Sequence, residues 1–204
     1  WAVRASDAGA LDRSLSFGDA DDARALVEAI ARREGPLADA LADGLDAAAD
    51  RYGAGDLVPS VKAMAVPAYD PRGAPAMALA YATSDRGACH RRARPIEDEA
   101  FDGASWSDRE RVARVARAQT TRSALWSLVA DDFVGGTLED CGAPWLRALG
   151  DDHDAASLAR LGERVWTLTR LFNVREGFDR DDDALPAAFT VAAASDDRTL
   201  DRAA

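Results

Sequence analysis

The spacing of apolar positions predicts helices over most of the chain. Between Asp19 and Glu34, residues Ala23, Leu26, Val27, Ile30 and Ala31 recur at steps of three and four, the period of one helix face. Asp19 offers an oxygen to the first free amides, and Gly35 offers a left-handed stop. Pro36 suits the first turn of a second helix reaching about Arg51, with Leu37, Leu41, Leu45 and Ala48 in a stripe. Ser107 and Glu110 have the spacing of a capping box and open a helix to about Val129. Residues 155–173 show the clearest periodicity, with Leu158, Leu161, Val165, Leu168 and Phe172 predicted to face a core before Gly177 ends the helix.

The segment from Val61 to Pro75 breaks this pattern. Val61, Met64 and Val66 are interleaved with Pro67, Pro71, Gly73 and Pro75, a density that fits an extended or looped segment. The small-residue run Ala76–Thr83 predicts a tightly packed buried helix, which leads into the turn Ser84-Asp85-Arg86-Gly87-Ala88-Cys89-His90. Residues 94–106 read as a polar loop, Asp179–Asp183 as a solvated turn, and 192–204 as a loose tail. The pattern predicts a mainly α fold with one irregular Pro/Gly-rich central segment.

Composition sharpens this picture. Of 204 residues 46 are alanine, whereas Leu, Ile, Val and Phe together number 39 beside a net charge of −11. Such a balance borders on that of disordered chains, but alanine is the strongest helix former, so a helical core poor in branched side chains is expected. No apolar run reaches membrane-spanning length, and the first residues lack the basic and apolar regions of a signal peptide, so a cytoplasmic location is expected. A pI of 4.6 argues against nucleic acid, whose phosphates require a basic stripe. Aspartates outnumber glutamates 28 to 8, and 24 arginines accompany the lone Lys62. This balance suits a halophilic protein in concentrated salt, where self-repulsion is screened; a GC-rich coding bias is the competing reading. Cys89 and Cys141 lie far apart, so the chain alone builds neither a zinc site nor a four-cysteine cluster, and two reduced thiols are expected. The chain begins at Trp1, which suggests a piece of a longer protein.

His90, after a glycine-containing turn, has the chemistry to move protons near neutral pH or to ligate a metal; its structural alternative is a packed, hydrogen-bonded histidine. His153, among Asp151, Asp152 and Asp154, reads as surface. Asp70-Pro71-Arg72-Gly73 reads as a turn with a local ion pair, and Asp131-Asp132 as a charge pair at a helix end.

Three long motifs in order then carry a resemblance. The runs Val61-Lys62-Ala63-Met64-Ala65-Val66-Pro67-Ala68-Tyr69-Asp70-Pro71-Arg72-Gly73 and Leu79-Ala80-Tyr81-Ala82-Thr83-Ser84-Asp85-Arg86-Gly87-Ala88-Cys89-His90 closely resemble signatures of the aldehyde ferredoxin oxidoreductase family. Gly162-Glu163-Arg164-Val165-Trp166 through Leu171-Phe172-Asn173-Val174-Arg175-Glu176-Gly177-Phe178 and Asp183-Ala184-Leu185-Pro186 resemble its closing motif. The resemblance runs from about Trp1 to Phe189 and is that of the family's C-terminal helical domains. It implies residues 1–60 as the end of a middle domain, 61–189 as a C-terminal domain with its site loop at 61–93, and 190–204 as a tail.

By resemblance, the complete protein oxidises aldehydes to carboxylic acids at tungsten or molybdenum held by two pterins. Electrons pass through a [4Fe–4S] cluster to ferredoxin. A pterin-cradling region before Trp1 carries three cluster cysteines, so this chain alone is expected to be inactive. A homodimer is a further family trait. His90 matches the histidine that assists proton transfer, and Tyr81, Arg86 and Cys89 fall in the stretch that lines the pocket. One motif departs from the family. The expected Asp-x-x-Gly-x-Cys, anchored on Phe133, is here Trp126-Ser127-Leu128-Val129-Ala130-Asp131. Either Asp131 is an unusual iron ligand or the chain serves no conventional cluster; the latter leads to the alternative of a non-catalytic scaffold or partner subunit.

Overall fold

The computed structural model describes residues 1–134 and 136–189. The helices are α1 (Ala2–Asp7), α2 (Ala20–Arg32), α3 (Pro36–Ala42), α4 (Leu45–Arg51), α5 (Pro75–Thr83), α6 (Ile96–Asp102), α7 (Asp108–Ser127), α8 (Ala143–Ala148) and α9 (Ala155–Arg175). Two short antiparallel strands, β1 (Ser60–Val61) and β2 (Met64–Ala65), pair between α4 and α5. The mainly α expectation holds, and the Pro/Gly-rich stretch is the irregular segment it predicts. The expected tail at 190–204 lies outside the described residues.

Local signals explain most helix ends. The Asp19 carboxylate accepts from the Asp22 amide, and Ser107 and Glu110 form the reciprocal capping box at the start of α7. Arg33, not Gly35, takes the left-handed position after α2, at φ 53°, because Gly35 serves instead as the N-cap of α3. The predicted second helix is divided into α3 and α4, since Asp43 and Gly44 interrupt it and Gly44 takes φ 112°.

Residues 94–106 contain α6 and a 3-10 turn rather than a polar loop. Glu97, Asp98 and Glu99 favour a helix start, and Glu99 then finds a buried partner set. Its carboxylate accepts from the amides of Ala76 at 2.7 Å and Met77 at 3.0 Å. The first turn of α5, wholly apolar, is thus capped by a side chain from another helix.

The main apolar cluster gathers Val61, Met77, Tyr81, Trp106 and Val115 around α5 and α7. A second joins Leu125, Leu138 and Leu158; a third, of Ala5, Leu11, Leu15 and Ala54, lies in the first 57 residues. Helices α7 and α9 make the most extensive helix contact. Gly162 permits their approach, because a Cβ there would sit 2.2 Å from the Thr120 carbonyl oxygen. The predicted α9 stripe is buried only at its N-terminal end: Leu158 is fully covered while Leu168 and Phe172 are exposed. Periodicity alone marked a face without showing what covers it.

The two residues linking β1 and β2, Lys62 and Ala63, both have positive φ, at 48° and 59°. Such hairpin corners favour glycine and asparagine. Lys62 compensates through its side chain, which is 3% exposed and places Nζ 2.6 Å from Asp183 and 2.9 Å from the Ala82 carbonyl. Asp183 also pairs with Arg170 of α9 at 2.9 Å. Gly162→Ala is expected to lower the unfolding free energy by about 1–3 kcal/mol through overpacking of α7 on α9, measured by urea denaturation; an unchanged midpoint would mean that the helices adjust without cost.

Candidate functional site

The candidate site is the loop 84–92 between α5 and α6, held from three sides. From α9, Asn173 Nδ2 donates to the Asp85 carbonyl at 2.5 Å. From α7, Gln119 Nε2 donates to Thr83 Oγ1 at 2.9 Å, fixing the end of α5. The hairpin closes on Gly87, where a Cβ would lie 2.6 Å from both the Met64 Cβ and the Val61 carbonyl oxygen, and where φ is 102°. Only glycine meets both conditions.

Cys89 is buried, and its sulfur accepts from Arg86 Nε at 3.2 Å, Arg86 Nη2 at 2.9 Å and the Arg91 amide at 3.4 Å. The next residue, His90, is half-buried and meets the ring of Tyr69 edge-on at a centroid distance of 5.6 Å. Its imidazole has no hydrogen-bond partner among the described residues. Burial, then the charges of Arg94 and Arg91, hold its pKa below the ordinary 6.5, with Asp132 opposing. The ring is therefore mostly neutral at pH 7 and able to accept a proton. His90 lines neither the groove along α7 nor the hollow between α4 and the hairpin.

Trp126, at the end of α7, collects three guanidinium groups, with Arg92 at 4.2 Å, Arg86 at 5.0 Å and Arg91 at 5.7 Å from its ring centroid. Arg91 also lies 4.8 Å over Phe133, grips Asp132 through Nε at 2.8 and 3.0 Å, and reaches Asp131 at 3.2 Å. The other oxygen of Asp131 accepts from the Phe133 amide at 2.8 Å. Arg92 Nε lies 3.0 Å from Asp85 Oδ1, without the alignment of a hydrogen bond. Burial raises the pKa of Asp85, opposed by Arg92 and Arg86, whereas the hydrogen bond from Arg91 holds Asp132 below the carboxylate range.

The structure thus brings Arg86, Cys89 and His90 together on one loop and places Asp131 against Arg91, forty residues away in sequence. Tyr81 is separate: its ring is fully buried beneath the loop, its hydroxyl has no hydrogen-bond partner among the described residues, and burial pushes its pKa up to about 12. Both cysteines are free. Asp70 and Arg72 form the expected local pair at 2.9 Å, and His153 is exposed beside Ser157. Sequence reasoning did not single out Asn173, Arg91 or Arg92, because nothing in their local pattern signals contacts made only after the helices pack.

The residues fit two cofactor elements differently. No three metal-ligating side chains gather among the described residues, so a tungsten ion here must bring its own ligands, as a pterin-held metal does. Arginines and an open imidazole suit an anionic cofactor of that kind. A fourth cluster ligand does not fit: both oxygens of Asp131 are engaged and Cys89 is buried under Arg86. Val129, which the resemblance sets at the motif's glycine position, takes φ 60° and is 92% exposed, a left-handed backbone that suits glycine better than a β-branched residue.

Fold and site together define a helical module that presents one rigid, histidine-bearing loop. The chain matches the description "Aldehyde ferredoxin oxidoreductase, domains 2 & 3" over residues 1–202. It belongs to the aldehyde ferredoxin oxidoreductase family, a family of oxidoreductases. It is 34% identical over 189 residues to the tungsten-containing aldehyde ferredoxin oxidoreductase of Pyrococcus furiosus, covering 85% of this chain and 30% of that protein. The corresponding protein of Thermococcus kodakarensis is 34% identical over 182 residues, and that of Pyrococcus horikoshii 33% over 190, with the same coverage. The chain thus spans 30% of the length of these curated relatives. No helix among the described residues is long and apolar enough to cross a membrane.

The depressed pKa of Asp132 makes its contribution to stability full above the unfolded carboxylate value of 3.8 and lost as pH falls through the lower folded value. The stability gap between the wild type and Asp132→Asn is therefore expected to be widest near neutrality and to close as pH falls below 3.8. Denaturation at a series of pH values measures it, and parallel curves would show that Arg91 does not select the charged carboxylate.

Proposed function

We propose that this chain is the C-terminal part of an enzyme that oxidises aldehydes to carboxylic acids, acting in the cytoplasm with a pterin-cradling region that precedes it. A tungsten (or molybdenum) centre held by two pterins supplies the two-electron redox change. The remaining balance is simple: water contributes the new oxygen, two electrons leave to a ferredoxin, and two protons must be removed. The reading is supported by family membership and by the names of the relatives.

The observation that carries it is His90, an imidazole held neutral by burial and neighbouring arginines, with no hydrogen-bond partner among the described residues, on a loop fixed by three elements. Its role is to take one proton released by the oxidation. Arg86 is exposed beside it and offers charge to an anionic cofactor; Cys89 fixes that guanidinium in place. Tyr81 supports the loop from below. No step is assigned to an iron–sulfur cluster, because Asp131 is engaged by Arg91 and the Phe133 amide.

That engagement, with Trp126 in the preceding motif position, also favours a second reading: a non-catalytic relative that keeps the fold as a scaffold or partner subunit. Metal analysis of the full-length protein produced with tungstate separates the two. Bound tungsten and pterin with aldehyde-dependent dye reduction support the enzyme; absence of all three supports the scaffold.

In the full-length protein, His90→Ala is expected to lower turnover by about 100-fold or more, the scale of lost general base catalysis, with tungsten and pterin content unchanged. The acid limb of the wild-type rate profile should lie below 6.5, the ordinary imidazole value. Unchanged turnover in the variant removes His90 from the mechanism.

A further inference from the structure

A second surface feature is independent of His90. A groove of about 530 Å³ runs along the outer side of α7, and Arg94, Arg114, Arg117 and Arg122 line it against only Asp98 and Glu110. This is anomalous in a chain of net charge −11, where acids exceed bases by 36 to 25. Glu110 is committed to the capping box with Ser107, and Arg94 to Glu97 at 3.1 Å. Arg114, Arg117 and Arg122 have no ion-pair partner among the described residues. Arg114 lies 4.2 Å over the ring of Trp106, which holds its guanidinium in place, and Arg122 donates only to the Asp132 carbonyl, at 3.4 Å.

Clustered arginines repel one another, and among the described residues no carboxylate pairs with Arg114, Arg117 or Arg122 to offset it. Their placement therefore points outward. From Glu110 to Arg122 the groove follows α7 for about 18 Å at the helical rise, and Arg114 and Arg117 are exposed. Such a long open rim suits a protein surface bearing carboxylates better than one small enclosed anion. The groove also adjoins the site loop: Arg94 follows His90 closely in sequence, and Arg122 touches the backbone of Asp132, which Arg91 grips.

We infer that this arginine groove docks an acidic electron-carrier protein of ferredoxin type. The inference rests on the oxidoreductase reading above for the identity of the partner, and on the groove's charge for the surface. The groove gives orientation through guanidinium–carboxylate pairs at contact range, and these persist in salt that screens longer-range steering.

The test uses the full-length protein, an acidic ferredoxin as the probe, and two charge-matched variants. Arg114→Glu/Arg117→Glu reverses the groove; Arg160→Glu/Arg164→Glu makes the same change of net charge on exposed positions of α9. Affinity is read by surface plasmon resonance at low and high salt, and aldehyde oxidation is read separately with a dye that bypasses ferredoxin. The groove variant should bind ferredoxin about 10-fold or more weakly than the α9 variant, with dye-linked turnover at the wild-type level. Equal affinity for the two variants, or no ferredoxin binding by the wild type, overturns the inference. So does loss of folding or of bound tungsten in the groove variant alone, which would mean that the rest of the polypeptide covers this face. If the wild type lacks dye-linked turnover but the two variants still differ in ferredoxin affinity as stated, the enzymatic reading fails and the docking surface stands.

Discussion

The buried ammonium of Lys62 is the interaction on which the site depends. Removing such a charge from water is costly unless it is fully paired. Here Asp183 and the Ala82 carbonyl pair it, and Arg170 shares Asp183. One side chain thereby ties the hairpin corner to the end of α5 and to the segment after α9. The hairpin then abuts Gly87, and the loop carrying Cys89 and His90 has one path left to follow. An arginine could not substitute simply, because its wide fork does not match a single carboxylate and carbonyl approached from one point.

Around this anchor the loop is built from arginines tied to their neighbours. Arg86 holds the Cys89 sulfur, Arg91 holds Asp132, and all three arginines from 86, 91 and 92 crowd Trp126. The effect on His90 is electrostatic: positive neighbours and burial disfavour its protonated form. Trp126 supplies the aromatic face on which the guanidinium groups converge.

Much of this was legible in the chain. The caps of α2 and α7, the buried character of α5 and the irregular stretch after Val61 follow from local rules about side-chain oxygens, small residues and prolines. The histidine loop was legible through its motif. What could not be read was burial. The α9 stripe looked continuous, yet Leu168 and Phe172 are exposed; residues 94–106 looked like a loop, yet Glu99 is buried as the cap of a distant helix.

The sequence by itself therefore determined the element types, the mainly helical class and the family, because these depend on spacing, propensity and ordered motifs within short windows. Tertiary structure alone decided which polar groups pair: the Asn173 amide reaches the Asp85 carbonyl across 88 positions, and Arg91 reaches the Asp132 carboxylate across 41. Those pairings fix the loop, leave the His90 imidazole without a hydrogen-bond partner among the described residues, and leave Arg114, Arg117 and Arg122 without an ion-pair partner among them. The physical reason is that an ion pair depends on distance and desolvation, and neither exists until the helices have packed.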